Sequence, residues 1–293
     1  MAPYRRPVLA ATAILLTATL TACANGSATS GSEEPSASGA AAAVSHIHGL
    51  GIDPADGRLY VATHEGVFAV EDDGAHKRVS DTADYMGFTV AGPNTFLGSG
   101  HPAEGSGDHA NRGLIKSTDA GKTWKTLSLG GEADFHALEY AHNTIYGYDS
   151  TNGLLRVSKD GEKWDNRAEL AALDIAVSPN DPDVLLATTQ NGIAKSTDGG
   201  ETFNAGTEPV MAFLSWAKPN ALYGIDPAGG LHRSADGGIT WKKAGNVPGG
   251  QPQALTAVDA DRILAATQDG VYESRNGGKT FAQRLPVSVS AEH

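Results

Sequence analysis

Residues Ser117 to Trp124 read STDAGKTW, and nearly the same phrase returns as SKDGEKW from Ser158, STDGGETF from Ser196, SADGGITW from Ser234 and SRNGGKTF from Ser274. Successive starts lie 41, 38, 38 and 40 residues apart, a period that belongs to repeat architectures. Within one period, residues 174–206 (DIAVSPNDPDVLLATTQNGIAKSTDGGETFNAG) parse as a strand DIAV, a turn SPNDPD, a strand VLLATT, a tight QNG turn, a strand IAKS, the recurring phrase and a strand TFNAG. Six stretches of the chain fit this plan, beginning near His46, Asp84, Asp134, Asp174, Ala212 and Gln253. Short strands joined by Asn-Gly, Asp-Gly and Gly-Gly turns form antiparallel hairpins, and stacking such sheets radially leaves only short edges unprotected. The expected fold is all-β, a six-bladed β-propeller of four-stranded antiparallel blades. No unit carries a helical period, which excludes an α-solenoid.

The recurring phrase has a physical reading of its own. Ser and Asp side chains accept hydrogen bonds from the amides of the turn, Gly supplies a positive φ, and the closing Trp or Phe packs beneath the hairpin. In this the sequence resembles the Asp-box (BNR) repeat, Ser-x-Asp-x-Gly-x-Thr-Trp, of sialidase-like and sortilin-like propellers. Asp119, Asp160, Asp198 and Asp236 are the acids of the box; the phrase at Ser158 is one residue short, Asn276 replaces Asp in the last, and the first unit keeps only Glu71 to Gly74, EDDG. The resemblance spans residues 46–285 and looks most like the secreted bacterial lipoproteins of this kind loosely labelled glycosyl hydrolase. It implies structural turns, and it also raises sialidase chemistry, which needs three arginines for the substrate carboxylate, a Tyr/Glu nucleophile and an Asp acid/base. No Arg-Ile-Pro phrase occurs, and none of Arg58, Arg78, Arg112, Arg156, Arg167, Arg233, Arg262, Arg275 or Arg284 falls on a predicted first strand. The sialidase arginine triad is therefore not found.

Upstream of the repeats, Arg5 and Arg6 precede the thirteen-residue apolar run VLAATAILLTATL and then LTAC, which reads as an export signal over residues 1–22. LTAC resembles the bacterial lipobox, which makes Cys23, the sole cysteine, the expected lipidated residue. Residues 23–45 are Gly-, Ser- and Ala-rich and read as a lipidated flexible tether, leaving 46–293 for the propeller. The expected location is the outer face of the bacterial cell membrane, held by an N-terminal lipid. The formal charge of −12 argues against nucleic acid as a partner, and no basic stripe offsets it. A monomer is expected.

Propeller ligands sit at the mouth formed by first-strand entrances and the hairpins between strands two and three. Aligning the entrances HIHGL, DYMGF and DFHAL makes His46, Asp84 and Asp134 equivalent, and likewise His48, Met86 and His136; strand alternation places each pair side by side. The neighbouring hairpins add His64 and Glu65, and a long insertion adds His101, Glu104, Asp108 and His109. Entrances of the last three units offer Asp174 as their lone ionisable group. His46, His48, His64, His101, His136 and Met86 form a set able to ligate copper or zinc, imidazole suiting either and thioether suiting Cu(I). The alternative is that these histidines cap strand starts and bond backbone carbonyls. His142 and His232 fall on a turn and a third strand, as structural positions, and Trp216 with the box tryptophans is expected between blades.

Three function classes follow: a surface lipoprotein binding a metal or other ligand at the mouth of blades 1–3; a non-sialidase glycoside hydrolase using a carboxylate pair drawn from Glu65, Asp84, Glu104, Asp134 and Asp149; and a scaffold docking a protein. A hydrolase needs its two carboxyl groups roughly 5 to 9.5 Å apart.

Overall fold

The computed structural model describes residues 44–287, so the expected export signal, Cys23 and most of the tether lie outside the described residues. Six antiparallel sheets follow one another along the chain as the blades of a β-propeller, with no helix among the described residues. Their first strands, Ile47–Ile52, Asp84–Gly92, Phe135–Ala141, Ile175–Val177, Phe213–Lys218 and Pro252–Ala257, belong to blades 1 to 6. Residues on or beside all six line a central channel with a cavity of about 500 Å³. Second and third strands are almost wholly buried: Leu59–Thr63 and Gly66–Val70 in blade 1 contain no exposed residue. They supply apolar layers that pack blade against blade, as where Tyr60 meets Phe96 at 4.7 Å between ring centroids.

Five blades have four strands, and blade 4 has three plus an isolated bridge between Ile193 and Thr207. The stretch TFNAG, read from sequence as a strand, is irregular there. The Asn204 carboxamide accepts the Lys195 N–H at 2.7 Å, taking the donor that a regular ladder would use. The Asn204 N–H still donates to the Lys195 carbonyl at 3.0 Å, and Ile193 and Thr207 exchange both backbone bonds.

The ring closes without strand exchange, since the first sheet is wholly N-terminal and the sixth wholly C-terminal. Closure therefore rests on side chains. Ile47, Leu50, Val61 and Phe68 share one buried cluster with Leu264, Val271 and Leu285. Thr256 Oγ1 donates to the Leu50 carbonyl at 2.8 Å, and Gln253 Oε1 accepts the Ile47 N–H at 3.0 Å. On the outer side the buried Glu273 carboxylate meets Arg262, Arg275 and Arg284, and Arg284 also reaches Asp72 of blade 1.

In the turns of the recurring phrase, Ser196 Oγ donates to Asp198 and accepts the Gly200 N–H at 2.8 Å, while Asp198 accepts both the N–H and hydroxyl of Thr202. The Ser117 and Ser234 turns repeat the pattern. Asp160 of the shortened phrase accepts the Glu162 and Lys163 amides instead. The threonine hydroxyls, followed by the threonine amides, hold the Asp119, Asp198 and Asp236 carboxyls down to about 2. Because Ser196 is buried, Ser196→Ala strands the Gly200 N–H and is expected to cost about 1 to 3 kcal/mol in a denaturant titration. A loss well below 1 kcal/mol would mean that water replaces the hydroxyl.

Candidate functional site

The first strands of blades 1, 2, 3 and 6 share an irregularity that those of blades 4 and 5 lack near their starts. In blade 1, Ile47 faces Thr63 and Gly49 faces Ala62, which leaves His48 as the extra residue of a β-bulge. By the same reading Met86 is the bulged residue between Tyr85 and Gly87, His136 between Phe135 and Ala137, and Gln253 between Pro252 and Ala254. Bulges at sheet rims re-aim side chains, and His48, Met86, His136 and Gln253 all line one cavity of about 400 Å³ at the channel mouth. The expected adjacency of His46 and His48 is observed, with ring centroids 4.9 Å apart, but a bulge lies between them where simple alternation was expected.

Three positions recur in each of these blades: the entrance residue, the bulged residue, and the residue at or just past the end of strand two. They read His46, His48, His64 in blade 1; Asp84, Met86, His101 in blade 2; Asp134, His136, Ser150 in blade 3; and Gln251, Gln253, Gln268 in blade 6. Backbone bonds mark the equivalence: His64, Ser150 and Gln268 donate to the carbonyls of His46, Asp134 and Gln251. The glutamines are the part of the mouth that sequence reading missed. Gln253 secures the blade 1 entrance and stands 3.5 Å from His46 Nδ1.

The three imidazoles of blade 1 form one cluster, with a ligand nitrogen from each lying within 4.8 Å of the others. His64 is half exposed, and its Nδ1 lies 2.8 Å from Asp84 Oδ2. The His48 side chain is only 10% exposed; its Nε2 faces Asp84 Oδ1 at 3.6 Å, and both atoms are buried without a hydrogen-bond partner. Burial, and then the neighbouring imidazoles of His64 and His46, push the His48 ring down to about 3, so it is a neutral base with a lone pair to offer. The same two causes, burial and His64, lower His46. In blade 3, His136 Nε2 lies 2.8 Å from Asp134 Oδ2, and that hydrogen bond raises the His136 ring. His101 approaches the same oxygen at 3.7 Å and anchors its Nδ1 on the Ala110 carbonyl.

The remaining sequence candidates lie apart from this convergence. Asp149 is fully buried and serves structure, accepting from Arg156, Asn152 and the Asp134 N–H. Glu65, Glu104 and Asp108 are exposed, and His109 packs over Gly131. His142 bonds the Ser178 carbonyl, His232 pairs with Asp226, and Trp216 packs between blades 4 and 5. Deeper in the channel, Glu139 and Asp174 form an acidic set that sequence reading did not assemble. Burial, reinforced by Asp174, raises Glu139 to about 8; burial raises Asp174 to about 7 against the Leu214 and Ile175 amides that favour its charge.

No family model matches the chain. A curated xyloglucanase from a Paenibacillus species is 27% identical over 198 residues, which cover 64% of this chain and 18% of the xyloglucanase. Among solved structures, a GH74 enzyme from Niastella koreensis superposes with a TM-score of 0.61 at 17% identity, covering 84% of this chain and 46% of that one. A chain of a nidogen/laminin complex gives a TM-score of 0.62 at 14% identity, with 78% and 93% covered. The chain thus spans less than half the length of the xyloglucanase and of the GH74 enzyme. The structural likenesses establish the propeller and reach proteins of unrelated role.

Proposed function

We propose that the propeller mouth binds a transition-metal ion through His46, His48 and His64, with Asp84 fixing the His64 ring through its Nδ1. The observation that carries this reading is the buried, unpartnered His48 Nε2 inside a set of three converging imidazoles. Buried polar groups in folded proteins are nearly always satisfied, so an orphaned neutral nitrogen beside two others has the chemistry of a metal-ligand set. Imidazole donors suit zinc or copper, and a carboxylate behind a ligating histidine fixes its ring. In this reading the protein is a lipid-anchored metal binder at the cell surface; release of a Cys23→Ser variant from membranes tests the anchor.

Elemental analysis of protein purified without a polyhistidine tag, followed by melting with added zinc or copper, tests the site. At a free metal concentration about 100 times Kd the parent gains about 2.7 kcal/mol. His48→Gln is expected to lose that gain. Equal stabilisation of parent and variant would overturn the reading.

The comparisons favour a second reading, a glycoside hydrolase, through the 27% identity to a xyloglucanase and the GH74-like shape. Its carboxylates would come from Asp84 and Asp134 at the mouth, or from Glu139 and Asp174 in the channel, where one acid held protonated beside a second suits acid/base division of labour. Release of reducing sugar from xyloglucan by the parent, and its loss in Asp84→Asn or Glu139→Gln, would support this reading. No hydrolysis of xyloglucan or related β-glucans would count against it.

A further inference from the structure

The mouth carries two related arrangements of a carboxylate with two imidazoles. In the first instance the Asp84 carboxylate receives His48, a bulged residue, and His64, which directly follows strand two of the preceding blade. One blade further round, Asp134 receives His136, again a bulged residue, and His101, from the end of strand two of the preceding blade. His64 and His101 occupy equivalent positions, as do Asp84 and Asp134; His48 carried round by one blade falls on Met86, so the second set repeats the carboxylate and the strand-two histidine and takes its other imidazole from His136. The difference lies in which blade gives the bulged histidine: blade 1 for Asp84, and the carboxylate's own blade 3 for Asp134.

The second set also shows an unmet valence. The Asp134 side chain is 7% exposed, and its Oδ1 is buried without a partner, as Asp84 Oδ1 is. Between the two sets stands Met86, the bulged residue of blade 2, lining the same cavity as His48 and His136. A thioether contributes nothing to a hard cation, and it is a good donor to a soft one.

We infer that the mouth holds a second transition-metal position one blade away from the first, formed by His101, His136 and Asp134, with Met86 adding a sulfur donor that favours copper(I). This rests on the reading of the blade 1 histidines as a metal site and extends it from one ion to two. Packing alone would not require a carboxylate to gather two imidazoles at repeat-related positions in successive blades, nor leave an oxygen of each carboxylate buried and unbonded.

The test is the stoichiometry and affinity of the full, untagged chain for copper(I), in competition with a chromophoric chelator under reducing conditions, and for zinc by equilibrium dialysis. The parent is expected to take two equivalents of copper(I). His101→Gln/His136→Gln should take one, with the affinity of that remaining equivalent within about threefold of the parent, and His46→Gln/His64→Gln should also take one. Met86→Leu should weaken the second copper(I) equivalent tenfold or more while changing zinc affinity less than twofold. One equivalent in the parent, lost on changing His46 and His64, would overturn the second position and leave the first standing. No bound metal would overturn both. Two equivalents persisting in His101→Gln, a half-exposed residue whose replacement threatens no core, and in the double variant would place the second ion elsewhere and overturn the inference. An unchanged copper(I) affinity in Met86→Leu would overturn the sulfur assignment.

Discussion

Glu273→Ala is expected to lower stability by about 3 to 5 kcal/mol, because it leaves the largely buried Arg262 and Arg284 guanidinium groups facing one another without their shared anion. The Glu273 side chain is 3% exposed and takes Arg262 Nε at 2.7 Å and Arg275 at 2.9 Å, with Arg284 paired on its other oxygen. Arg284 is the member that matters most. It is itself nearly buried, it extends to Asp72 in blade 1, and its Nε already lacks a partner. Because no strand crosses from blade 6 to blade 1, this chain of charges is the polar half of the closure, alongside the apolar cluster of Ile47, Phe68, Val271 and Leu285. Arg275, which is 65% exposed, is a built-in control: Arg275→Ala removes a solvated arm of the network and should cost under about 1 kcal/mol. Urea titrations of both variants decide the point. If Glu273→Ala lost less than 1 kcal/mol, apolar packing alone would hold the ring closed.

The architecture was legible because five of the six blades repeat a phrase with strict turn chemistry, Ser196, Asp198 and Thr202 being one copy, and a period near 40 residues admits few folds. The outer strand of blade 4 was not legible. Its residues alternate like a strand, and only the tertiary position of Asn204 diverts the Lys195 amide. At the mouth, aligning the repeats was enough to bring His46, His48, His64, His101, His136 and Met86 to one place. It could not show that His48, Met86 and His136 are bulged residues, since a bulge is one extra residue in a register that needs the partner strand to define it. The same phase shift hid Glu139. Counted by twos from His136, Glu139 points away from the channel, yet the bulge returns it to the channel wall beside Asp174. Gln251, Gln253 and Gln268 were passed over because an amide carries neither charge nor a metal preference, although all three line the mouth.

Gly87→Ala should damage stability and the mouth together, while Gly92→Ala, five residues along the same strand, should do neither. A Cβ at residue 87 would lie 2.2 Å from the Phe135 carbonyl oxygen and 3.1 Å from Leu138 Cδ1, both on the first strand of blade 3. The oxygen belongs to backbone and cannot swing aside, so the two first strands must separate. Overpacking of this kind costs about 1 to 3 kcal/mol, and a backbone obstacle puts the expected loss near the upper end. A Cβ at residue 92 meets nothing within 4 Å, so its effect should stay within about 0.5 kcal/mol. The functional consequence follows from sequence adjacency: Gly87 follows the bulged Met86, and Phe135 sits between Asp134 and His136. Parting these strands moves Met86 and the Asp84 carboxylate away from the Asp134 set, so copper(I) affinity at the second position should fall at least tenfold in Gly87→Ala. The blade 1 imidazoles, held from the other side by Gln253, should keep their ion. Melting curves and copper(I) competition on the two glycine variants measure both effects. Loss of stability with copper(I) binding intact would mean that the close approach of blades 2 and 3 holds the ring but does not set the spacing of the donors.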